Sequence, residues 1–521
     1  MKGTPYRTVW ILLLSLFLLV VPSSVAAAEP LTAVMTHPDG WEEFDPALRI
    51  NWPEQAFAHS HIFESLVRRP SHFPEGGGSP QLEPALATHW EHDEEGLVWT
   101  FYLREGVQFH RGYGEFTASD VKFSYERAKQ GGRASDLAML DRVVIIDDYT
   151  VELHLHEPVA PQVLLTQMTV IGWVIVSEAA VTELGDAFPT QPVGTGAYEL
   201  VRVRPPDDVV LEAFDDYWGG RPVVDRVEGE VIPDDAARVL ALQTGEVDWM
   251  QVRTAATYES LVGRDGVKIV FNPDASFSTA ALYFNMERDV VADKRVREAL
   301  LLAIDRELLL EAIVGPLAVG VMHGPLAPSH AGYLPPDQLP VYDYDPERAR
   351  ALLADAGVGD GLSLNTMIRS GRQVEIDTLT AIQGFWEEIG VSMSIDMVEP
   401  ALWIERQDTG QYDFAIASLG RAEATLKLAH FHSGSVPPLG SGNYAFYSKP
   451  ELDSLIDAQA REPDAERRAE ILREIQLMIM DDLPIAPLYH TGHMTAVRDK
   501  WEAPDNIFSW VFMAQRMHPV D

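Results

Sequence analysis

The chain has 521 residues, with 40 basic and 79 acidic side chains, a formal net charge of −39 and no cysteine. That excess of carboxylate makes nucleic acid and anionic membrane surfaces poor partners, and the missing cysteine excludes disulfides, thiolate metal sites and a lipid-modified cysteine. Apolar residues make up 46 %, which argues against wholesale disorder, and the length allows roughly two to four domains of about 100 to 200 residues each.

Lys2 and Arg7 precede an apolar run from Val9 to Val21, followed by Pro22 and the small residues Ser23 to Ala28. A charged start, a short apolar stretch and a small-residue site form a secretory signal peptide, 1–28, and the run falls short of the roughly 20 residues that a membrane span needs. Cleavage after Ala28 leaves 38 basic and 79 acidic residues, a net charge of −41, on a mature chain starting at Glu29. So many carboxylates read as a solvated exterior, and adaptation to a saline setting that screens their repulsion is one account of them.

The segment from Leu82 to Lys129 reads LEPALATHWEHDEEGLVWTFYLREGVQFHRGYGEFTASDVKFSYERAK. His59 and His61 have the spacing of a strand-borne metal pair, as do His154 with His156 and His430 with His432. The first pair precedes Ile62 to Glu64 in a stretch expected to be helical, where residues two apart diverge. The second lies in the alternating run Val151 to His156, on its exposed face. Gly194-Thr195-Gly196, within PVGTGAYEL, lacks the third glycine of a nucleotide fingerprint and reads as a tight turn. Adjacent acids such as Asp207-Asp208, Asp215-Asp216 and Asp234-Asp235 read as solvated turns.

Further along, Asp293 and Asp305 are expected helix caps, with Val296, Leu300 and Ala303 at helical spacing and Arg295, Arg297 and Glu298 on the wet face. Leu362, Leu364, Thr366 and Ile368 alternate as a strand, about Val374 to Glu388 reads as helix, Gly390 stops it, and Val391 to Val398 alternates again: a β-α-β unit. Asp464 precedes a helix with Ile471, Ile475 and Met478 on one stripe, before the strand-like IAPLY. The class is mixed α/β. No His-Glu-x-x-His, Gly-x-Ser-x-Gly or Gly-x-x-x-x-Gly-Lys pattern occurs, so no catalytic residue, metal ligand set or cofactor is assigned.

Leu82, Pro84, Leu86, Ala87, Trp90, Trp99 to Gly106, Phe109-His110 and Ala118 to Arg127 occur in the order of a known family. They are joined downstream by PVGTGAYEL, DDYWGGRP (Asp215 to Pro222), ALQTGEVDWM (Ala241 to Met250) and KRVREALLLAIDRELL (Lys294 to Leu309). On these landmarks the chain resembles the family 5 solute-binding proteins of ABC importers, over nearly its whole mature length. The resemblance implies a two-lobed periplasmic-binding-protein-like fold of type II with an extra subdomain and two hinge crossings. The first lobe would comprise 29–57, 191–271 and 488–521, the extra subdomain 58–190 and the second lobe 272–487. It also implies a periplasmic protein that closes on its solute and hands it to ABC permease subunits in the inner membrane; no oligomer is indicated, so a monomer is expected.

In peptide-binding relatives, the segment after Tyr-Asp carries Trp-x-x-Asp, whose aspartate pairs with the ligand's α-ammonium. The matching positions in YDFAIASLGRAEATL are Leu419, Gly420, Arg421 and Ala422, with Glu423 one residue later. The expected aspartate is absent, and Arg421 offers a fork for carboxylate or phosphate, or a pairing partner for a surface acid. Trp173, Tyr283, Asn285 and Thr36 complete the candidate set, either lining the cleft or packed in the core. An oligopeptide or peptide-like solute leads. An oligosaccharide, an opine-like conjugate and chelated nickel are alternatives within binding, and a hydrolase of such ligands is the alternative class.

Overall fold

The computed structural model describes residues 30–520 apart from 38–39, 42, 49–51, 71–80, 135, 274–277, 360, 371, 421–422, 438–441 and 503–512. The expected signal peptide and Arg421 therefore lie outside the described residues.

Two sheets organise the molecule. The first begins with β1 (Thr32–His37) and takes β6 (Tyr198–Arg204), β7 (Asp208–Ala213), β8 (Arg226–Val231), β9 (Trp249–Gln251), β10 (Val267–Asn272) and β17 (His493–Arg498). Its order is β10-β17-β9-β1-β8-β7-β6. β1 runs parallel to β8, from Thr32 opposite Arg226 to His37 opposite Val231, and parallel to β9. β17 is antiparallel to both β9 and β10, so β10 also runs with β1. Between β1 and β6 the chain builds a separate four-stranded antiparallel sheet from β2 (Ala87–His92), β3 (Val98–Leu103), β4 (Leu140–Asp147) and β5 (Thr150–Leu155), in the order β2-β3-β5-β4. Inward residues Phe101, Val151 and Leu153 share one continuous core with Met35, Leu211 and Val227 of the first sheet. The alternation of buried and half-buried residues in VWTFYL is what a one-sided sheet requires.

The second lobe centres on β11 (Ser278–Phe284), β12 (Ala318–Val321), β15 (Phe414–Gly420) and β16 (Ile485–Thr491), antiparallel in the order β12-β16-β11-β15. Beside it stands the β-α-β unit: β13 (Leu362–Arg369), α3 (Gln373–Glu388) and β14 (Val391–Val398). Its strands are parallel with Leu362 opposite Val391, as the alternating pattern predicts, and Gly390 ends the helix at a φ of 81° that favours glycine. The chain passes between lobes twice, from β10 to β11 and from β16 to β17. β16 belongs wholly to the second sheet, so the return falls at Gly492, where a Cβ would lie 2.3 Å from the Phe271 ring.

Asp293, Asp305 and Asp464 each accept a backbone N–H at the start of a helix, which is the capping chemistry the sequence indicates. The wet face expected for Arg295, Arg297 and Glu298 is corrected at Arg297. That residue is buried and donates to the carbonyls of Val291, Ala292, Asp482 and Leu483. A guanidinium that saturates the orphan carbonyls of a helix end resembles a surface residue in sequence, because helical spacing does not reveal the neighbouring helix. Gly194 and Gly196 are required by close approach: a Cβ there would lie 2.1 Å from Ile62 O and 2.3 Å from His61 O. The pair seats the 192–198 segment against the backbone that ends α1 (Trp52–His61), with Gly196 N–H donating to Ile62 O at 2.9 Å.

Candidate functional site

Strand direction singles out a candidate site. The carboxyl ends of β1, β8, β9 and β10 and the amino end of β17 share one edge of the first sheet. Both crossings leave from this edge. In open α/β sheets, ligands bind outside the carboxyl ends of the strands. The opposing edge of the second lobe carries the amino end of β11 and the carboxyl ends of β15 and β16. β13 joins it with its own carboxyl end, because Asn365 and Thr366 bond alongside Asp413 and Phe414 in a parallel sense.

On the first-lobe edge lie Thr36 and His37 of β1, Gln251 of β9, Asn272 of β10 and His493 of β17. Gln251 Nε2 lies 3.2 Å from His493 Nε2, and His493 is opposite Asn272 in register. Burial pushes the His493 imidazole down to about 4, so it is neutral at physiological pH and takes the Gln251 amide proton through a lone pair. Thr36 is 2 % exposed and its Oγ1 has no partner among the described residues, a buried hydroxyl whose desolvation is uncompensated.

On the second-lobe edge, Lys427 is buried in α4 (Ala424–Leu428), with its ammonium against Thr279 Oγ1 at the start of β11. Arg369 ends β13 and is exposed. Gly420 ends β15 and is exposed; Leu419 precedes it in the strand, opposite Thr279. The carboxylates behind this edge are engaged. Asp413 Oδ2 accepts from Asn365 N and Nδ2, each at 2.7 Å. Glu423 caps α4 by accepting Thr425 N–H and pairs with Arg468. Lys427 is thus held against Thr279 within its own lobe, Arg369 is exposed, and these two carboxylates are paired inside the second lobe.

The other candidates support the walls. Trp173 is completely buried in the extra subdomain, its Nε1 donating to Asp136 O at 2.9 Å and its ring edge-on to Tyr125. Tyr283 points into the second-lobe core against Phe431 and Tyr444. Asn285 Nδ2 donates to the carbonyls of Gly410 and Tyr412 at 3.1 and 3.0 Å, tying β11 to the segment before β15. Thr36, Leu419 and Gly420 are thus at the facing edges, whereas Trp173, Tyr283, Asn285 and Glu423 are packed inside.

Sequence reasoning passed over Gln251, Asn272, His493, Lys427 and Arg369. Asn272 stands directly before Pro273 at the first crossing, and Arg369 closes the first strand of a β-α-β unit, where ligand contacts concentrate. Gln251 and His493 carried no comparable signal, since their meeting depends on two strands 242 residues apart. The histidine pairs do not converge. His61 is buried with Nδ1 on Phe57 O, His154 bonds Glu152 within its own strand, and His430 Nδ1 bonds Gly442 O. Among the described residues no group of three or more His, Asp or Glu side chains has the geometry to hold a metal ion.

Comparison with known proteins agrees with this architecture. Residues 81–425 match the model of the bacterial extracellular solute-binding proteins, family 5, middle region. The chain is 28 % identical to di/tripeptide-binding protein 2 of Pseudomonas aeruginosa, with 91 % of this chain and 93 % of that one covered. It is 27 % identical to heme-binding protein A of Haemophilus influenzae, with 86 % and 85 % covered. Among solved structures, the Helicobacter pylori periplasmic binding protein DppA in complex with the peptide STSA is similar at a TM-score of 0.78 and 25 % identity, covering 94 % of this chain and 98 % of that one. With two lobes, two crossings and a family model that spans more than half of the chain, it belongs to the bacterial extracellular solute-binding proteins of family 5.

Proposed function

We propose that this protein is the periplasmic binding component of an ABC importer, that it captures an oligopeptide or peptide-like solute between its lobes, and that the closed form delivers the solute to the inner-membrane permease. The observation that carries the reading is the facing of two strand edges at the crossings, one bearing Gln251, Asn272 and neutral His493, the other Thr279 and Gly420, with Lys427 of α4 buried behind Thr279. Such an array suits an extended chain held through its amide groups, and the cations suit its carboxylate. A ligand that touches both lobes favours closure by its differential affinity for the closed state. No bond need be made or broken, so the role is binding rather than catalysis.

In this reading Thr36, Leu419, Gly420 and Arg421 touch the solute, and Trp173, Tyr283, Asn285 and Glu423 hold the walls from behind. Lobe one comprises 29–57, 191–271 and the chain after Gly492, the extra subdomain 58–190, and lobe two the segment between the crossings. The signal peptide 1–28 is removed, and the mature protein, lacking cysteine for a lipid anchor, acts as a free monomer. Two curated relatives differ in what their names say they bind, a di- or tripeptide and heme, so the peptide assignment rests on site chemistry as well as kinship.

The experiment is calorimetric titration with matched tri- to pentapeptides, free-amine and N-acetylated, alongside small-angle scattering. Binding of peptides with a contraction of the scattering radius supports the reading. Contraction with oligosaccharides or a nickel chelate, and none with peptides, overturns it.

A further inference from the structure

Through residues that belong to neither crossing, the extra subdomain touches the second lobe directly. Glu157 and Ala160 follow β5 and lead into α2 (Pro161–Gln167). Ala460 and Arg461 close α5 (Pro450–Arg461), a helix anchored in the second-lobe core through Leu452 and Ile456 beside Tyr283 and Ile485. Arg461 donates to Glu157 Oε2 from Nε at 3.0 Å and from Nη2 at 2.5 Å. Next to it the Ala160 N–H donates to Ala460 O at 2.8 Å. The carbonyls of a last helical turn have no partner within their helix, and this one is satisfied by the other lobe.

Residues 157 and 461 are 304 apart in sequence, and neither crossing takes part. A hinge motion that separates the lobes at this rim must therefore break a main-chain hydrogen bond and a charge-assisted pair together. We propose that Glu157–Arg461 and Ala160–Ala460 form a closure latch that stabilises the closed arrangement over the open one without touching the solute, a proposal that rests on capture by lobe closure. Whatever the latch adds to the closed state alone shifts the closed-to-open ratio directly. The ion pair is 44 % and 55 % exposed, so its share is modest and falls with salt; the main-chain bond is the salt-independent share.

The test uses the absence of native cysteine. Nitroxides on Glu94→Cys and Glu470→Cys, exposed positions in the extra subdomain and the second lobe, report the interlobe distance by pulsed electron paramagnetic resonance in ligand-free protein. The latch predicts a short-distance population whose ratio to the long-distance one falls about two- to fivefold in Arg461→Glu. The charge-swapped double variant Glu157→Arg, Arg461→Glu restores it, and 1 M NaCl brings the unsubstituted pair toward the single variant. Ala160→Pro, at a φ of −56° that proline adopts, deletes the donor and lowers the ratio further. An unchanged distribution in Arg461→Glu, or no short-distance population in the parent, overturns the latch. Failure of peptides to bind would overturn the peptide assignment and leave these distances as measured.

Discussion

Arg468 donates to Glu423 inside the second lobe, where the two side chains are 7 % and 3 % exposed. The same guanidinium bonds Gln459 and Thr425, and the second Glu423 oxygen accepts Thr425 N–H at 2.5 Å. The only acid within one residue of the position where peptide-binding relatives carry their ammonium-binding aspartate is thus spent on holding α4 in place. If the proposed solute lies as the resemblance implies, it finds the Glu423 carboxylate already paired, and the proposal therefore expects ligands anchored by their acidic end or their amides.

Glu423→Gln leaves Arg468 buried without its counter-charge, and unfolding stability is expected to drop by about 3–5 kcal/mol, read by urea denaturation. Solute affinity of the folded protein should change little. A variant that keeps its stability and loses affinity would make Glu423 a ligand contact instead.

Arg421→Ala is expected to weaken solute binding by roughly tenfold or more, the scale of a charge-assisted hydrogen bond. Calorimetry on the folded variant checks it, and unchanged affinity removes Arg421 from the site.

Four histidines shape the acid limb of stability. Burial pushes His59, His61, His110 and His493 each from 6.5 to about 4, at His59 with the help of the Arg69 charge. His61 Nδ1 bonds Phe57 O while its Nε2 accepts Ala514 N–H, and His110 Nε2 bonds Gly196 O, so these two are held neutral as opposite tautomers. The unfolded chain binds more protons than the folded one below pH 6.5, so stability is complete above that value and falls as pH drops toward 4. Each histidine contributes up to about 1.4 kcal/mol per pH unit within that window. Glu64, whose carboxyl is raised by burial, works in the opposite sense, adding stability as pH falls through its raised value. Urea midpoints at pH 7.5, 6 and 5 should decline in order; a flat series would contradict the assignment.

The surplus of acid should make the melting temperature climb with added salt, as screening relieves repulsion among the 79 acidic residues. A flat response would sink salt adaptation.

The fold was legible because local signals agree with the tertiary plan. Asp293, Asp305 and Asp464 are caps, Gly390 is a stop, and the alternation in Leu362 to Ile368 is a strand with one buried face. The site was legible only where a residue sits beside a chain landmark, as Gly420 does at the end of β15. Trp173 in an apolar stretch looks the same in sequence whether it lines a cleft or packs on Tyr125, and its bond to Asp136 O settles its surroundings only in three dimensions. Gln251 and His493 meet because β9 and β17 pair through the second crossing, a contact set by topology and invisible to periodicity. Arg297 failed for the same reason in reverse, two of its four carbonyl partners lying on a helix end 185 and 186 residues away.

The most direct test of the central claim is the mass of the mature protein taken from the cell that makes it, recorded under non-denaturing conditions so that solute held between the lobes travels with it. The account predicts added masses that resolve into amino-acid residue units. A ladder spaced by a sugar unit, or a nickel isotope pattern, would contradict it.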